Sequence, residues 1–287
     1  MATTITSAFQ KLKENLEVTG LQKTVVSTRQ EKVRDAVSGS MDVLDSFLTG
    51  SYSRATMIAP LKEADIDIFI ILDPKYYETD GQAGLLDKVK NVLLKTYPTT
   101  PKISRNGQAV TITFTDFVVD VVPAFNRKGG GYLIPNSARK VWLETNPKIH
   151  VELMTSENTA HDGDLVPLVK MIKGWNKHIG DEFVSFYLEL LTIKLLDNVK
   201  ISNFSSGCRY FFDKGREGIK YKVADPAKYG DQINGLRNCK TVEDAIKRFE
   251  TAYSRSIKAE NFAKQGDIEK AISEWKLVFG DYFPAYG

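Results

Sequence analysis

The chain has 287 residues, 42 % of them hydrophobic and 26 % charged, with 20 Gly and 10 Pro. This composition excludes a disordered, collagen-like or disulfide-stapled protein, and the length suits one large domain or two lobes. Thirty-nine basic against 36 acidic residues leave a net charge of +3, too small a balance to predict nucleic-acid binding by itself.

No apolar run approaches the ~18–20 residues that cross a bilayer; the longest, 66–72 and 117–123, are short and each contains an acid. The polar N-terminus lacks the basic and apolar regions of a signal peptide. Cys208 and Cys239 make neither a disulfide framework nor a metal knuckle. A soluble cytoplasmic protein with no membrane partner is expected. Basic residues gather locally: Lys102, Arg105, Arg127, Lys128, Arg139 and Lys140 in one stretch, and Arg209, Lys214, Arg216, Lys220 and Lys222 in another. Two such surfaces on a nearly neutral chain suit a polyphosphate ligand, or are simply solvated faces.

In chain order, residues 8–17 and 30–48 read as helices. In the second, Val33, Val37, Met41, Leu44 and Leu48 recur at three- and four-residue steps, and Thr49-Gly50-Ser51 ends it. The β-branched run 64–72, closed by Asp73-Pro74, is a strand, 85–94 an amphipathic helix, and 109–114 and 117–122 two more strands, the second closed by Pro123. Residues 132–134 and 141–143 add short edges. From Pro147 the pattern turns helical: 148–157, 164–178 with Asp164 as N-cap, 183–196, 242–263 and 268–279, with 204–213 ambiguous. The fold class is α+β: a mixed-sheet lobe over 1–146, with the N-terminal helices, and a helical lobe over 147–287, with a cleft between them.

Asp65 and Asp67 stand two apart on a strand, so they point to one face with Cα atoms roughly 6.5 Å apart. Two carboxylates on an otherwise apolar strand repel each other and cost desolvation energy, which a bound divalent cation offsets. Asp120, inside a second apolar strand, supplies a third carboxylate if the strands are adjacent. Asp116 competes for that role but falls at a turn. Three such acids can hold two Mg²⁺ ions, with Mn²⁺ as a substitute, about 3.5–4 Å apart. The bland alternative makes Asp65 a strand start and Asp67 a solvent-facing side chain.

Gly50-Ser51, then Asp65-x-Asp67 on a strand and Asp120 on another, resembles the nucleotidyltransferase superfamily related to DNA polymerase β. Gly lets the backbone approach a phosphate, and the Ser hydroxyl can donate to it. The stretches Gly50-Ser51-Tyr52-Ser53-Arg54-Ala55-Thr56, Asp65-Ile66-Asp67-Ile68-Phe69 and Asp120-Val121-Val122-Pro123-Ala124 resemble the bacterial cGAS/DncV-like nucleotidyltransferases of anti-phage systems. So do Pro167-Leu168-Val169-Lys170-Met171-Ile172-Lys173-Gly174-Trp175-Asn176 and Val184-Ser185-Phe186-Tyr187-Leu188-Glu189-Leu190-Leu191. The zinc-binding insertion of animal cyclic GMP-AMP synthase is absent from the sequence, so the resemblance implies the bacterial branch and no nucleic-acid activator.

The resemblance implies a bilobed fold with a helical lobe completing the nucleotide site. It implies that Lys173, or Lys170 three residues earlier, grips the triphosphate. Ser185 would bond it from a helix N-terminus, Phe186 would stack on a base, and Asn146 would read a base edge. The competing readings are a solvated lysine, a helix cap, a core aromatic and a turn residue. The implied function is a Mg²⁺-dependent enzyme that makes a cyclic di- or trinucleotide messenger from NTPs, read by a separate effector protein. A linear 2′–5′ oligonucleotide synthase, a tRNA or antibiotic nucleotidyltransferase, and a catalytically dead nucleotide-binding module remain alternatives.

Overall fold

The computed structural model describes residues 2–100 and 102–287, without the side chains of residues 21 and 63. Met1 and Pro101, which open the expected polar N-terminus and the first basic stretch, lie outside the described residues. The elements run α1 (Ile5–Leu16), α2 (Gly20–Ser38), β1 (Val43–Leu48), α3 (Gly50–Ser53), β2 (Asp65–Leu72), α4 (Gln82–Thr96), β3 (Lys102–Asn106), β4 (Ala109–Thr113), β5 (Val118–Asn126), β6 (Tyr132–Asn136) and β7 (Val141–Thr145). Helices then follow: α5 (Pro147–Ala160), α6 (Leu165–His178), α7 (Ser185–Leu196), α8 (Phe204–Gly218), α9 (Val242–Lys264) and α10 (Ile268–Phe279).

Two compact units result. One joins Val18–Glu152 with Pro226–Gly230; the other joins Met1–Glu17, Leu153–Asp225 and Asp231–Gly287. The sheet unit carries strands in the order β1-β2-β5-β4-β3, with β6 and β7 continuing from β5. β2 and β5 are parallel neighbours, and the remaining pairs are antiparallel. Strand alternation sorts the side chains by face. Ile66, Ile68, Ile70, Val119 and Val121 join the core that Val33 and Val37 of α2 and Leu86 and Val89 of α4 also build. Phe69, Ile71, Val122 and Ala124 form a second, smaller cluster with Tyr132 and Ile134.

The helical unit packs on aromatics. Trp175 stacks on Phe183 at 5.4 Å and meets Phe212 and Phe249 edge-on at 5.0 Å each. Phe9 of α1 meets Trp275 and Phe283 edge-on, at 4.9 and 5.3 Å. These contacts tie α1 to the helical unit, and the units change at 17/18, 152/153, 225/226 and 230/231 where one boundary at 146/147 was expected.

Three expected elements differ. The apolar spacing across 30–48 spans two structures: α2 ends at Ser38 with Gly39 as C-cap, and 43–48 is strand β1. Gly50 therefore follows a strand and opens α3, where it was expected to end a helix. Pro123 does not close β5. It falls between the end of the β4 ladder at Val121 and the start of the β6 ladder at Phe125, a gap where a missing N–H is tolerated.

Candidate active site

The parallel register sets Asp67 directly opposite Asp120, with Asp65 opposite Val118. All three acids alternate with the residues that face α2 and α4, so they share the other face of the sheet. Asp65 is exposed at the strand start; Asp67 and Asp120 are half-buried. Burial, then repulsion from Asp120 and Asp65, push the Asp67 carboxyl up to about 7, with Arg54 opposing. Asp120 is held by side chains that sequence reasoning missed: Thr111 Oγ1 donates to its Oδ1 at 2.6 Å, and Asn106 Nδ2 reaches both of its oxygens at 3.4 Å. Asn106 Nδ2 also donates to Thr111 Oγ1 at 2.8 Å.

Asp116, the competing third acid, sits in the turn between β4 and β5. It accepts from Arg29 Nη2 at 2.8 Å and from the Phe117 N–H at 3.1 Å. The sheet thus brings Asp120, and not Asp116, opposite Asp67.

Gly50 has φ +65°, and a Cβ there would collide with Asp67 Oδ2 and stand 2.9 Å from its Cγ. Only glycine lets the chain pass this close to the carboxylate. Thr49 N–H donates to the Asp67 carbonyl at 2.9 Å, and the Ser51 carbonyl accepts from the N–H groups of Thr56 and Met57 at 2.9 and 3.0 Å. These bonds fold residues 49–57 against the start of β2.

Among the described residues, no three His, Cys, Asp or Glu side chains already converge as ligands for one ion. Asp120 is turned toward Thr111 and Asn106. The donor set still suits a hard divalent cation: three carboxylates on one face, two in direct register, one raised toward neutrality by burial and by repulsion from the other two.

Asn146 follows β7, and its carbonyl accepts from the Ile149 N–H at 3.1 Å, an ordinary turn contact. Its side-chain Oδ1, however, is buried with no hydrogen-bond partner. On α7, Ser185 is the first helical residue and the N-cap is Val184, so Ser185 is not a cap. Phe186, next on the first turn, is half-buried.

Both candidate triphosphate lysines lie on α6 and are engaged in ion pairs. Lys173 is 6 % exposed, and its ammonium lies 3.2 Å from Glu189 Oε1, itself wholly buried. Its charge is turned into the helical core. Lys170 pairs with Glu17 at 2.7 Å. The two basic stretches are partly neutralised in the same way: Arg105 pairs with Asp87, Arg127 with Glu144, Arg209 with Glu260, and Arg216 with Asp213.

A helix-backed mixed sheet bearing three such acids beside a glycine loop defines a polymerase β-like nucleotidyltransferase. Residues 3–158 match the model of the Second Messenger Oligonucleotide or Dinucleotide Synthetase domain. The chain belongs to this family, within the bacterial cGAS/DncV-like nucleotidyltransferases. It is 30 % identical over 254 residues to a cyclic AMP-AMP-AMP synthase of an Acinetobacter strain, covering 83 % of this chain and 72 % of that one. In fold it is similar to E. coli MS115-1 CdnC solved with ATP, at TM-score 0.73 and 18 % identity over 98 % of this chain and 99 % of that one. It is also similar to Vibrio cholerae DncV, a cyclic AMP-GMP synthase solved with the linear intermediate pppA(3′,5′)pG. That match has TM-score 0.70 and 15 % identity over 97 % of this chain and 86 % of that one. No helix among the described residues is long and apolar enough to cross a membrane.

Proposed function

We propose that this nucleotidyltransferase makes a cyclic di- or trinucleotide messenger from NTPs with Mg²⁺, and that a separate effector reads the product in bacterial anti-phage signalling. The observation that carries the reading is the direct register of Asp67 and Asp120 on the face shared with Asp65, beside a glycine that no other residue can replace. The Acinetobacter relative's named product and the linear intermediate bound by DncV support stepwise joining followed by ring closure.

In this reading Asp65, Asp67 and Asp120 hold two divalent ions, which when bound supply charge stabilisation to the attacking and leaving oxygens. Gly50 and Ser51 take the phosphate close to the backbone, and Ser185 and Phe186 contribute a phosphate contact and a base stack from α7. The unpartnered Oδ1 of Asn146 accepts from a base edge, an interaction that also resolves a buried polar atom.

The test is incubation of the purified chain with each labelled NTP and Mg²⁺ or Mn²⁺, with products identified by mass spectrometry before and after phosphatase. A phosphatase-resistant oligonucleotide is expected, made by the wild type and not by Asp65→Asn with Asp67→Asn. A phosphatase-labile product would instead identify a linear polymerase. Near-normal activity in the double variant would sink the mechanistic reading.

A further inference from the structure

The chain leaves the helical unit after Asp225, contributes Pro226–Gly230 to the sheet unit, and returns at Asp231. Tyr229 anchors this short excursion. Its ring lies against the turn joining β5 to β6, where Gly129, Gly130 and Gly131 all take positive φ, at 94°, 99° and 72°. A Cβ at Gly131 would stand 3.0 Å from Tyr229 Cε2 and 2.9 Å from the Thr145 carbonyl oxygen. The missing side chain is what lets ring, turn and the end of β7 close on one another.

Arg127 ties the same groups together. Its guanidinium lies over the Tyr229 ring, 5.2 Å from the centroid. Its Nε pairs with Glu144 Oε1 at 2.9 Å, and its Nη1 donates to the Gly130 carbonyl at 3.4 Å. Its backbone N–H donates to the Gly131 carbonyl at 3.1 Å. Glu144 and Thr145 are the last two residues of β7, and Asn146 follows them. Contacts therefore run from Tyr229 to Glu144 and Thr145, and Thr145 is the chain neighbour of the residue assigned above to a base edge.

We propose that Tyr229 is a positioning residue: it fixes the end of the β6–β7 hairpin and, through it, the base-edge contact of Asn146. The proposal rests on the nucleotidyltransferase reading. A side chain that discriminates bases must be held to within a fraction of an ångström, yet β6 joins β5 through only the pairs Phe125–Leu133 and Asn126–Tyr132, and β7 pairs with β6 alone at the margin of the sheet. The ring supplies a wall that the three glycines cannot.

The experiment compares wild type, Tyr229→Ala and Tyr229→Phe by amide hydrogen exchange and by competition between mixed NTPs. In Tyr229→Ala, residues 129–146 are expected to exchange faster. kcat/KM for the preferred nucleotide, and the preference itself, are expected to fall by up to about two- to fivefold, the loss of one exposed cation–π contact being the upper bound on what the latch passes to the base. Tyr229→Phe, which keeps the ring, is expected to behave as wild type in both. Wild-type exchange in Tyr229→Ala overturns the proposal, and so does faster exchange with an unchanged base preference. A wild-type chain that consumes no NTP refutes the nucleotidyltransferase reading, and the role in base selection falls with it; the exchange data still report separately whether Tyr229 latches the hairpin.

Discussion

Asp67 sits between two other carboxylates on a half-buried face, and its carboxyl is raised from 3.8 to about 7 in the folded chain. The folded state therefore binds more protons than the unfolded one across that window. Stability of the metal-free protein falls as pH rises from about 4 to about 7, then levels off. Thermal melts of metal-free protein at pH 4 to 8 are expected to show this decline, and Asp67→Asn to flatten it. A wild-type profile that is flat over the same range would remove the electrostatic conflict on which the metal assignment leans. Gly50→Ala tests the same atoms from the other side. The new methyl meets Asp67 and strains a backbone at φ +65°, so product formation should be lost and stability lowered by at least about 1 kcal/mol. The three acids and Gly50 were legible because their types and spacing are unusual in apolar strands. Thr111 and Asn106 were not, since single polar residues in strands carry no such mark. A signal for Thr111 did exist: folding the chain back about the turn at Thr115 and Asp116 lays Thr111 against Asp120.

Helix α6 shows how an element's environment loads a motif residue with a structural partner. Its Lys173 looks like a surface residue by type, yet α7 presents Glu189 to it in the core. Taking away one partner of such a pair leaves the other charge buried, so Lys173→Ala should cost on the order of 3–5 kcal/mol in denaturant unfolding. Lys173→Met with Glu189→Leu should recover most of it. Full stability in Lys173→Ala would overturn this, and NTP affinity lost for every base alike would mark the proposed grip on the triphosphate. Sequence periodicity cannot reveal this pairing, because it depends on which face of α7 meets α6. The same limit explains α2 and β1: valine and leucine spacing fits a helix across 33–48, and only Gly39 with its flanking serines marks the break. Where strands were β-branched and uninterrupted, as in β2, or helices long and regularly apolar, as in α9 and α10, the pattern sufficed.

At the level of the molecule, the mixed sheet followed by helices was readable from the change of pattern at Pro147, but the membership of α1 was not. Phe9, Leu12 and Leu16 form an apolar face that suits a sheet or a helix bundle equally well, and only the contact with α10 decides between them. A fragment spanning residues 2–152 would carry that face unmatched, and one spanning 18–152 would not. The shorter fragment should therefore stay in solution to higher concentration, as measured by light scattering. Equal behaviour would mean that α1 has found a second home on the sheet unit.

The pairing of α1 with α10 also has a consequence in time. Phe9 emerges from the ribosome about 266 residues before Trp275, its partner. At the ~5–20 residues per second of synthesis, that face waits roughly 13–53 seconds. Throughout that interval the sheet strands are being made beside an uncovered aromatic helix. The nascent chain thus carries a window for chaperone capture or mispairing that the finished protein no longer displays.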